Sequence, residues 1–233
     1  MKSILLSFSS LFMILTLQAQ DCKNYYYISD NAEIQMTVYD RKGNESGKQT
    51  WKVSSVKSDG NGYSSIVESV FTDSKGKEIA KASGNYKCEK GVLMADMRMA
   101  LPQQQMDAYK NTEVKADKVY IEYPAKMSTG QALQDADFKM EMFNNGTKTN
   151  TTTFKETNRK VEGKETITSP AGTWEAYKIT YDGQMKITMG GIGIPMNFKG
   201  AEWFVPGFGL VKSESMNKNG KLMGSTLITS VKK

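Results

Sequence analysis

The chain has 233 residues, a formal net charge of +6, two cysteines and no histidine. Without imidazole, the sequence excludes Ser-His-Asp and Cys-His nucleophiles and histidine-ligated zinc, and two widely separated cysteines lack the short ligand spacing of a structural zinc site. The lysines are scattered among turn sequences such as "DSKGKE" and "NKNGK". They form no basic stripe, so we expect no nucleic-acid partner. Because the usual metal ligands are missing, we also expect no metal, and no cofactor is expected.

Residues 1–20 have the pattern of a secretory signal peptide. Lys2 precedes an apolar run that is too short and too often interrupted by serine for a membrane-spanning helix. Cleavage near Ala19 or Gln20 would leave residues 21–233 as one exported domain, periplasmic, extracellular or at the cell surface. Lipid attachment at Cys22 is the less favoured alternative, because Asp21 stands where a lipidation signal has a small residue. No later segment is apolar over the length that a transmembrane helix needs.

Cys22 and Cys88 are the two cysteines of the chain. An even pair in an oxidising compartment favours a disulfide. The bridge would close a long loop and stabilise the fold by about 4 kcal/mol in the chain-entropy model. The alternative is two unpaired thiols.

Alternation with a period of two dominates the chain and predicts half-buried strands. The segment "VLMADMRMAL" places apolar residues on one side and Asp96 and Arg98 on the other, and "DFKMEMF" repeats the pattern with Lys139 and Glu141 on the polar side. The apolar sides of these two segments are Leu93, Ala95, Met97, Met99 and Leu101, and Phe138, Met140 and Met142.

Clusters of glycine and polar residues between the strands predict tight reversals, so the strands should form an antiparallel meander. The glycines of "MGGIGIPM" are typical of a bulge or a hairpin tip and lack the context of a phosphate-binding loop. A short helix is predicted only near residues 102–110, after Pro102. Two similar β-halves, 21–100 and 138–233, would be joined by residues 101–137. The predicted fold is therefore all-β, a sandwich or an open barrel.

The candidate ligand-binding residues are methionine and aromatic side chains. Methionine is adaptable and can line an apolar pocket, and its thioether can also bind Cu(I). Ordinary core filling explains the same spacing and is the simpler interpretation. The residues that we consider for an apolar site are Met97, Met99, Met140, Met142, Trp174, Tyr177 and Trp203.

Two carboxylates stand next to tryptophans, as they often do in sugar sites: Glu202 beside Trp203, and Glu175 beside Trp174. A pair of carboxylates could hydrolyse a glycoside. The simpler interpretation is that alternation places each carboxylate in water and each indole in the core.

The C-terminal half carries "NRKVEGKETITSPAGTWEAYKITYDG", then "EWFVPGFGLVKSES" and "NKNGKLMGSTLIT". These segments, with "YPAKMSTGQALQDADF" upstream, resemble the TapB-like family of exported bacterial proteins, a domain of unknown function. The resemblance implies no catalytic residue. Physically, Pro170 and Gly172 predict the turn of a hairpin that continues into a strand from Thr173 to Tyr181.

The favoured function is therefore non-enzymatic. We expect an exported protein that binds an apolar small molecule, a lipid or an envelope protein on a concave sheet face lined by methionine and aromatic residues. The alternatives are a structural or protein-interaction module without a cavity, and a carboxylate-based glycan-active enzyme.

Overall fold

The structure is a computed structural model that describes residues 22–58, 60, 62–100, 113–117, 120–144 and 147–233. The predicted signal peptide and the predicted helix near 102–110 lie outside these ranges. Within them, the only helical segments are three short 3₁₀ turns, at Cys22–Asn24, Tyr26–Ile28 and Met97–Ala100. The described residues contain no helix with the length and apolar character to cross a membrane.

Thirteen strands account for most of the described chain. They are β1 (Glu33–Asp40), β2 (Glu45–Ser58), β3 (Gly62–Asp73), β4 (Glu78–Glu89), β5 (Val92–Asp96), β6 (Glu113–Asp117), β7 (Tyr120–Tyr123), β8 (Ala136–Asn144), β9 (Thr147–Ser169), β10 (Gly172–Met189), β11 (Ile192–Val205), β12 (Gly209–Asn217) and β13 (Leu222–Lys232).

All thirteen belong to one antiparallel sheet in the order β6-β8-β9-β10-β11-β12-β13-β1-β2-β3-β4-β5-β7. The all-β prediction is confirmed, and of the two predicted architectures the sheet adopts the open barrel. It curls into a nearly closed barrel, and Tyr123 of the edge strand β7 reaches across to hydrogen-bond Glu202 of β11. The β9–β10 hairpin predicted at Pro170 is confirmed, with Pro170 and Ala171 as its turn.

The N-terminal 3₁₀ turns place three consecutive tyrosines against the barrel interior. The hydroxyl of Tyr25 donates to the carbonyl oxygen of Gly91 at 3.0 Å, and that of Tyr26 donates to the carbonyl oxygen of Leu210 at 2.7 Å. The Tyr27 ring stacks on Tyr86 of β4, with 4.3 Å between ring centroids. A disulfide joins Cys22 to Cys88, as predicted, and ties this segment to β4.

One strand is shorter than the alternation predicts. β5 ends at Asp96, and residues Met97–Ala100 turn away as a 3₁₀ segment. The cause is the Asp96 carboxylate, which accepts the backbone N–H groups of Arg98 and Asn85, each at 3.0 Å. Asp96 is therefore buried and not in water as its position in the pattern predicted.

A β-bulge in β9 changes which side chains face the interior. Asn158 adopts a left-handed backbone conformation, with φ of 55°, where the pairing between β9 and β10 shifts register. A bulge adds one residue to a strand and so inverts the alternation beyond it. Glu156, before the bulge, and Arg159, after it, are consequently both buried.

Candidate functional site

The barrel contains a partly open interior cavity of about 180 Å³. Aromatic and methionine side chains form half of its wall, aliphatic side chains form a quarter, and one glutamine, one aspartate and two glutamates form the polar part. The lining residues are Tyr27, Gln49, Trp51, Tyr86, Leu93, Ala95, Asp96, Met97, Met99, Ile121, Tyr123, Phe154, Glu156, Glu202, Phe204 and Leu210.

Glu202 is the first of the two interior glutamates, and it projects from near the C-terminal end of β11. Its Oε2 accepts a hydrogen bond of 2.8 Å from the Tyr123 hydroxyl, and the Tyr123 ring stacks on Phe204 with 4.4 Å between centroids. Burial raises the pKa of the Glu202 carboxyl, while the charge of Arg159 and the bond from Tyr123 oppose the rise. The surface that Glu202 retains faces the cavity.

Glu156 of β9 is the second interior glutamate. Burial, reinforced by the negative charge of Glu202, raises the pKa of Glu156 to about 8, and the charge of Arg159 acts in the opposite direction. The two carboxyl groups repel each other, so the pair retains a proton at neutral pH.

Arg159 is the cation of this cluster, and its side chain is fully buried. Its Nη1 donates to the carbonyl oxygens of Glu122 and Gln134 at 3.2 and 2.8 Å, and its guanidinium carbon lies 5.3 Å from the centroid of the Tyr123 ring. Its Nε is 3.6 Å from Oε2 of Glu156, close enough for charge attraction and too far for a hydrogen bond.

Several buried polar atoms of this region lack a hydrogen-bond partner among the described residues. They are Oε2 of Glu156, Nε1 of Trp51, and Nε and Nη2 of Arg159. Buried polar groups are normally paired, and each exception costs about 1–3 kcal/mol. Glu156 and Trp51 both line the cavity, so two of these unpaired atoms belong to side chains of its wall.

A larger depression of about 640 Å³ lies over strands β2, β3 and β4. Lys52, Glu68 and Lys81 line it with exposed side chains. None of the polar atoms left unpaired in the described residues belongs to its lining. The interior cavity, although smaller, is therefore the better candidate for a specific site.

The predicted ligand-binding residues divide between the cavity wall and positions outside it. Met97 and Met99 line the cavity. Met140 and Met142 are buried on β8 beyond it, and Trp174 packs on Phe208 with 5.2 Å between ring centroids. The remaining two aromatic residues, Tyr177 and Trp203, make cation-π contacts outside the cavity.

Trp203 lies on the opposite face of β11 from Glu202. The Nζ atoms of Lys178 and Lys212 lie 5.0 and 4.1 Å from the centroid of its ring. Its indole N–H donates to Oε2 of Glu165 at 2.6 Å. Similarly, Nζ of Lys164 lies 4.8 Å from the centroid of the Tyr177 ring. Trp203 therefore packs between lysine stems and lies outside the cavity wall.

The expectation that Glu202 lies in water is wrong. The alternation of β11 places Glu202 on the interior face, where Ile179 of β10 is directly opposite. For the second carboxylate the expectation is correct, because Glu175 is exposed and accepts a hydrogen bond from the Thr166 hydroxyl.

Most of the polar cluster was not predicted from the sequence. Glu156 and Arg159 lie in "FKETNRKV", which reads as an exposed strand under strict alternation. The available signal was Asn158, a residue that tolerates the left-handed conformation of a bulge. Tyr123 and Trp51 carried no signal, because their roles depend on strands that are distant in sequence.

The fold and the cavity together define a class: a single-sheet β-barrel with a buried polar cluster in an aromatic interior. The chain belongs to the DUF3108-like family, whose model matches residues 30–228. The prediction of a family of unknown function is therefore supported, whereas the match does not carry the name TapB-like. No curated protein matches the chain.

Two solved structures share the fold. A candidate lipoprotein from Parabacteroides distasonis is 23% identical, with a TM-score of 0.69 over 89% of this chain and 98% of that one. A candidate exported protein with a YmcC-like fold, from Bacteroides fragilis, is 20% identical, with a TM-score of 0.65 over 88% of this chain and 96% of that one. At these identities the likeness concerns the fold alone.

Proposed function

We propose that this protein is a non-enzymatic exported binding protein that holds a small, mostly apolar molecule inside its barrel. The observation that carries the proposal is the interior cavity, whose wall includes Glu156 and Trp51, two side chains with a buried polar atom (Oε2 and Nε1) that has no partner among the described residues. Export is supported by the signal-peptide pattern at residues 1–20 and by the descriptions of the two structural neighbours as an exported protein and a lipoprotein.

The cavity volume limits the size of the ligand. A cavity of roughly 150 Å³ holds a molecule such as benzene, and the interior cavity measures about 180 Å³. A single ring with a short side chain fits this volume, whereas a complete lipid does not. We therefore favour a small molecule over the lipid alternative.

The charges of the cluster favour a ligand with one basic nitrogen. Glu156 and Glu202 supply two carboxyl groups against the single guanidinium of Arg159, so one negative charge is left without a counter-charge among the described residues of the cluster. Burial, reinforced by the charge of Glu202, raises the pKa of Glu156 to about 8, so a proton neutralises that charge at neutral pH. An ammonium group could replace that proton, and aromatic faces such as those of Trp51 and Tyr86 also attract organic cations.

The test compares three molecules of matched shape: 2-phenylethylamine, 2-phenylethanol and 3-phenylpropanoate. We expect saturable binding, followed by the indole N–H resonance of Trp51, in the affinity order amine, alcohol, carboxylate. Glu156→Gln should weaken amine binding about tenfold, the loss of roughly 1.4 kcal/mol, while the exposed-site control Glu175→Gln should leave it unchanged.

Binding of the alcohol and the amine with equal affinity would support an apolar site and overturn the charge assignment. If none of the three molecules produced a saturable change, the binding function itself would be overturned.

A carboxylate-based glycan-active enzyme is the second candidate, and the observation that favours it is that Glu156 and Glu202 line the same cavity, where burial raises the pKa of both carboxyl groups. A glycosidase uses one carboxyl as an acid and the other as a base or nucleophile. Chromogenic glycosides distinguish the candidates: turnover that is abolished by Glu202→Gln would support the enzyme, and no turnover in a protein that binds the amine would support the carrier.

A further inference from the structure

The hairpin formed by β10 and β11 ends in an apolar surface that the proposed binding function does not use. Its turn is Gly190–Gly191, with φ of 55° and 82°, so both central residues have the positive φ of a tight hairpin turn. Ile192, Ile194 and Met196 on β11 are 76%, 79% and 60% exposed. Apolar side chains exposed to this extent, next to one another, mark an interaction surface.

The apolar residues of the tip lie on one face and form cross-strand pairs. Met185 is opposite Met196, and Ile187 is opposite Ile194. The other face carries polar or small residues, including Lys186, which is opposite Pro195. The tip is therefore an amphipathic β-hairpin.

The tip also extends beyond β12, the strand that pairs with β11 on the side away from β10. Pairing of β11 with β12 begins only at Phe198, opposite Asn217. Among the described residues, the segment 192–197 consequently pairs with β10 alone.

From Gln184 to Lys199 the chain has two lysines, Lys186 and Lys199, and no acidic residue. Neither lysine forms an ion pair within the described residues. Lys199 also lines a depression at the base of the hairpin together with Lys155, Lys218 and one acidic residue, Asp182. Lys186 and Lys199 lie on the face opposite the exposed isoleucines. Positive charge on one face and exposed apolar side chains on the other form the combination that binds anionic membrane surfaces.

We propose that the β10–β11 tip docks on an anionic lipid surface, with Ile192, Ile194 and Met196 entering the boundary between head groups and acyl chains. Lys186 and Lys199 attract the phosphates of the lipid head groups. This surface is separate from the interior cavity, so the inference does not depend on the proposed ligand.

Two observations favour a lipid surface over another protein strand or a second copy of this chain. Pro195 has no backbone N–H, so it interrupts any ladder that an added strand would form along the unpaired edge of β11. The tip also carries two lysines and no acidic residue between Gln184 and Lys199, so a second copy of the same tip offers the same charge and an anionic lipid surface offers the complementary one.

The test is co-sedimentation of the chain with vesicles of mixed phosphatidylethanolamine and phosphatidylglycerol, compared with phosphatidylcholine vesicles. We expect binding to the anionic vesicles that weakens with added salt. The double variant Ile192→Ser/Ile194→Ser should bind at least tenfold more weakly, and Lys186→Gln/Lys199→Gln should lose most of the preference for anionic vesicles. Ile66→Ser, which changes an exposed isoleucine on β3, is the matched control and should bind as the unmodified chain does.

Thermal unfolding should show that all these variants remain folded, because the substituted side chains are exposed. Equal sedimentation of the double isoleucine variant and the unmodified chain would overturn the proposal. The proposal would also be overturned if vesicles bound neither the unmodified chain nor the double isoleucine variant, and sedimentation velocity showed that the unmodified chain is a dimer and the variant a monomer.

Discussion

The two ends of strand β11 present the same face of the sheet to opposite surroundings. Ile194 and Glu202 have the same parity on an unbroken register with β10. Yet Ile194 is exposed at the hairpin tip, whereas Glu202 faces the interior cavity. The comparison shows that alternation determines which residues share a face, while the curvature of the sheet and the length of its neighbours determine whether that face meets solvent.

The physical consequences differ accordingly. At the interior end, a charged group is costly unless paired, so the stability of the fold depends on Glu156, Glu202 and Arg159. At the tip, side chains can change with little effect on folding, because water already surrounds them. Variants at the two ends should therefore separate stability from surface binding.

Removing the interior cation should have the largest effect. Arg159→Met leaves two buried carboxyl groups without their counter-charge, so we expect a loss of about 3–5 kcal/mol in the free energy of unfolding. Urea denaturation measures it, with Lys160→Met, at an exposed neighbour, as the control. A loss below about 1 kcal/mol would show that Arg159 does not balance the interior charges.

Removing the disulfide should have the next largest effect. Cys22→Ser/Cys88→Ser frees the segment that carries Tyr27 into the cavity wall, and loss of a native bridge usually costs about 2–5 kcal/mol. The Tyr27–Tyr86 stack should loosen as well, which near-ultraviolet circular dichroism would detect. An unchanged unfolding midpoint would contradict a structural role of the bridge.

The interior carboxyl pair should make stability fall as the pH rises. The folded-state pKa of Glu156, about 8, lies above its unfolded value, so between these values the folded state binds more protons and rising pH favours unfolding. Four charged or titratable groups interact electrostatically with the Glu156 carboxyl. They are Glu202 on β11, Arg159 on β9, Tyr123 on β7 and Tyr181 on β10.

The free energy of unfolding should fall by about 1.4 kcal/mol per pH unit between roughly pH 5 and 8. For a domain of this size, that fall corresponds to about 3–6 °C in Tm per pH unit. Glu156→Gln should flatten this slope, because the neutral amide does not titrate. Thermal unfolding across this pH range in both proteins measures the difference. A parallel slope in the variant would assign the pH dependence to other groups.

The smallest effect on stability is expected at the other end of β11. Ile194→Ser should change the free energy of unfolding by less than about 0.5 kcal/mol, because the side chain is already exposed. Thermal unfolding at neutral pH checks this. A loss above about 1 kcal/mol would mean that the tip packs against another part of the chain.

The sequence predicted the parts of the structure that depend on local pattern. The all-β class, the hairpin at Pro170 and the Cys22–Cys88 bridge follow from alternation, turn chemistry and cysteine count. The early end of β5 was not predictable, because the Asp96 carboxylate stops the strand by accepting backbone bonds from Arg98 and from a neighbouring strand.

The candidate site was largely hidden for the same reason. Two of the seven predicted binding residues, Met97 and Met99, line the cavity. The polar cluster needed information that one strand does not carry: the bulge at Asn158 turns Arg159 inward, and the curl of the sheet brings Tyr123 to Glu202. Tertiary closure, not local pattern, creates the site.

Native mass spectrometry of the protein purified from the envelope of the cells that make it tests whether the barrel interior holds a small molecule. We predict a small-molecule adduct on the unmodified protein that is absent from a folded Ala95→Phe variant, whose added ring fills the cavity. A mass equal to the disulfide-bonded polypeptide alone, or an adduct that Ala95→Phe retains in full, would contradict it.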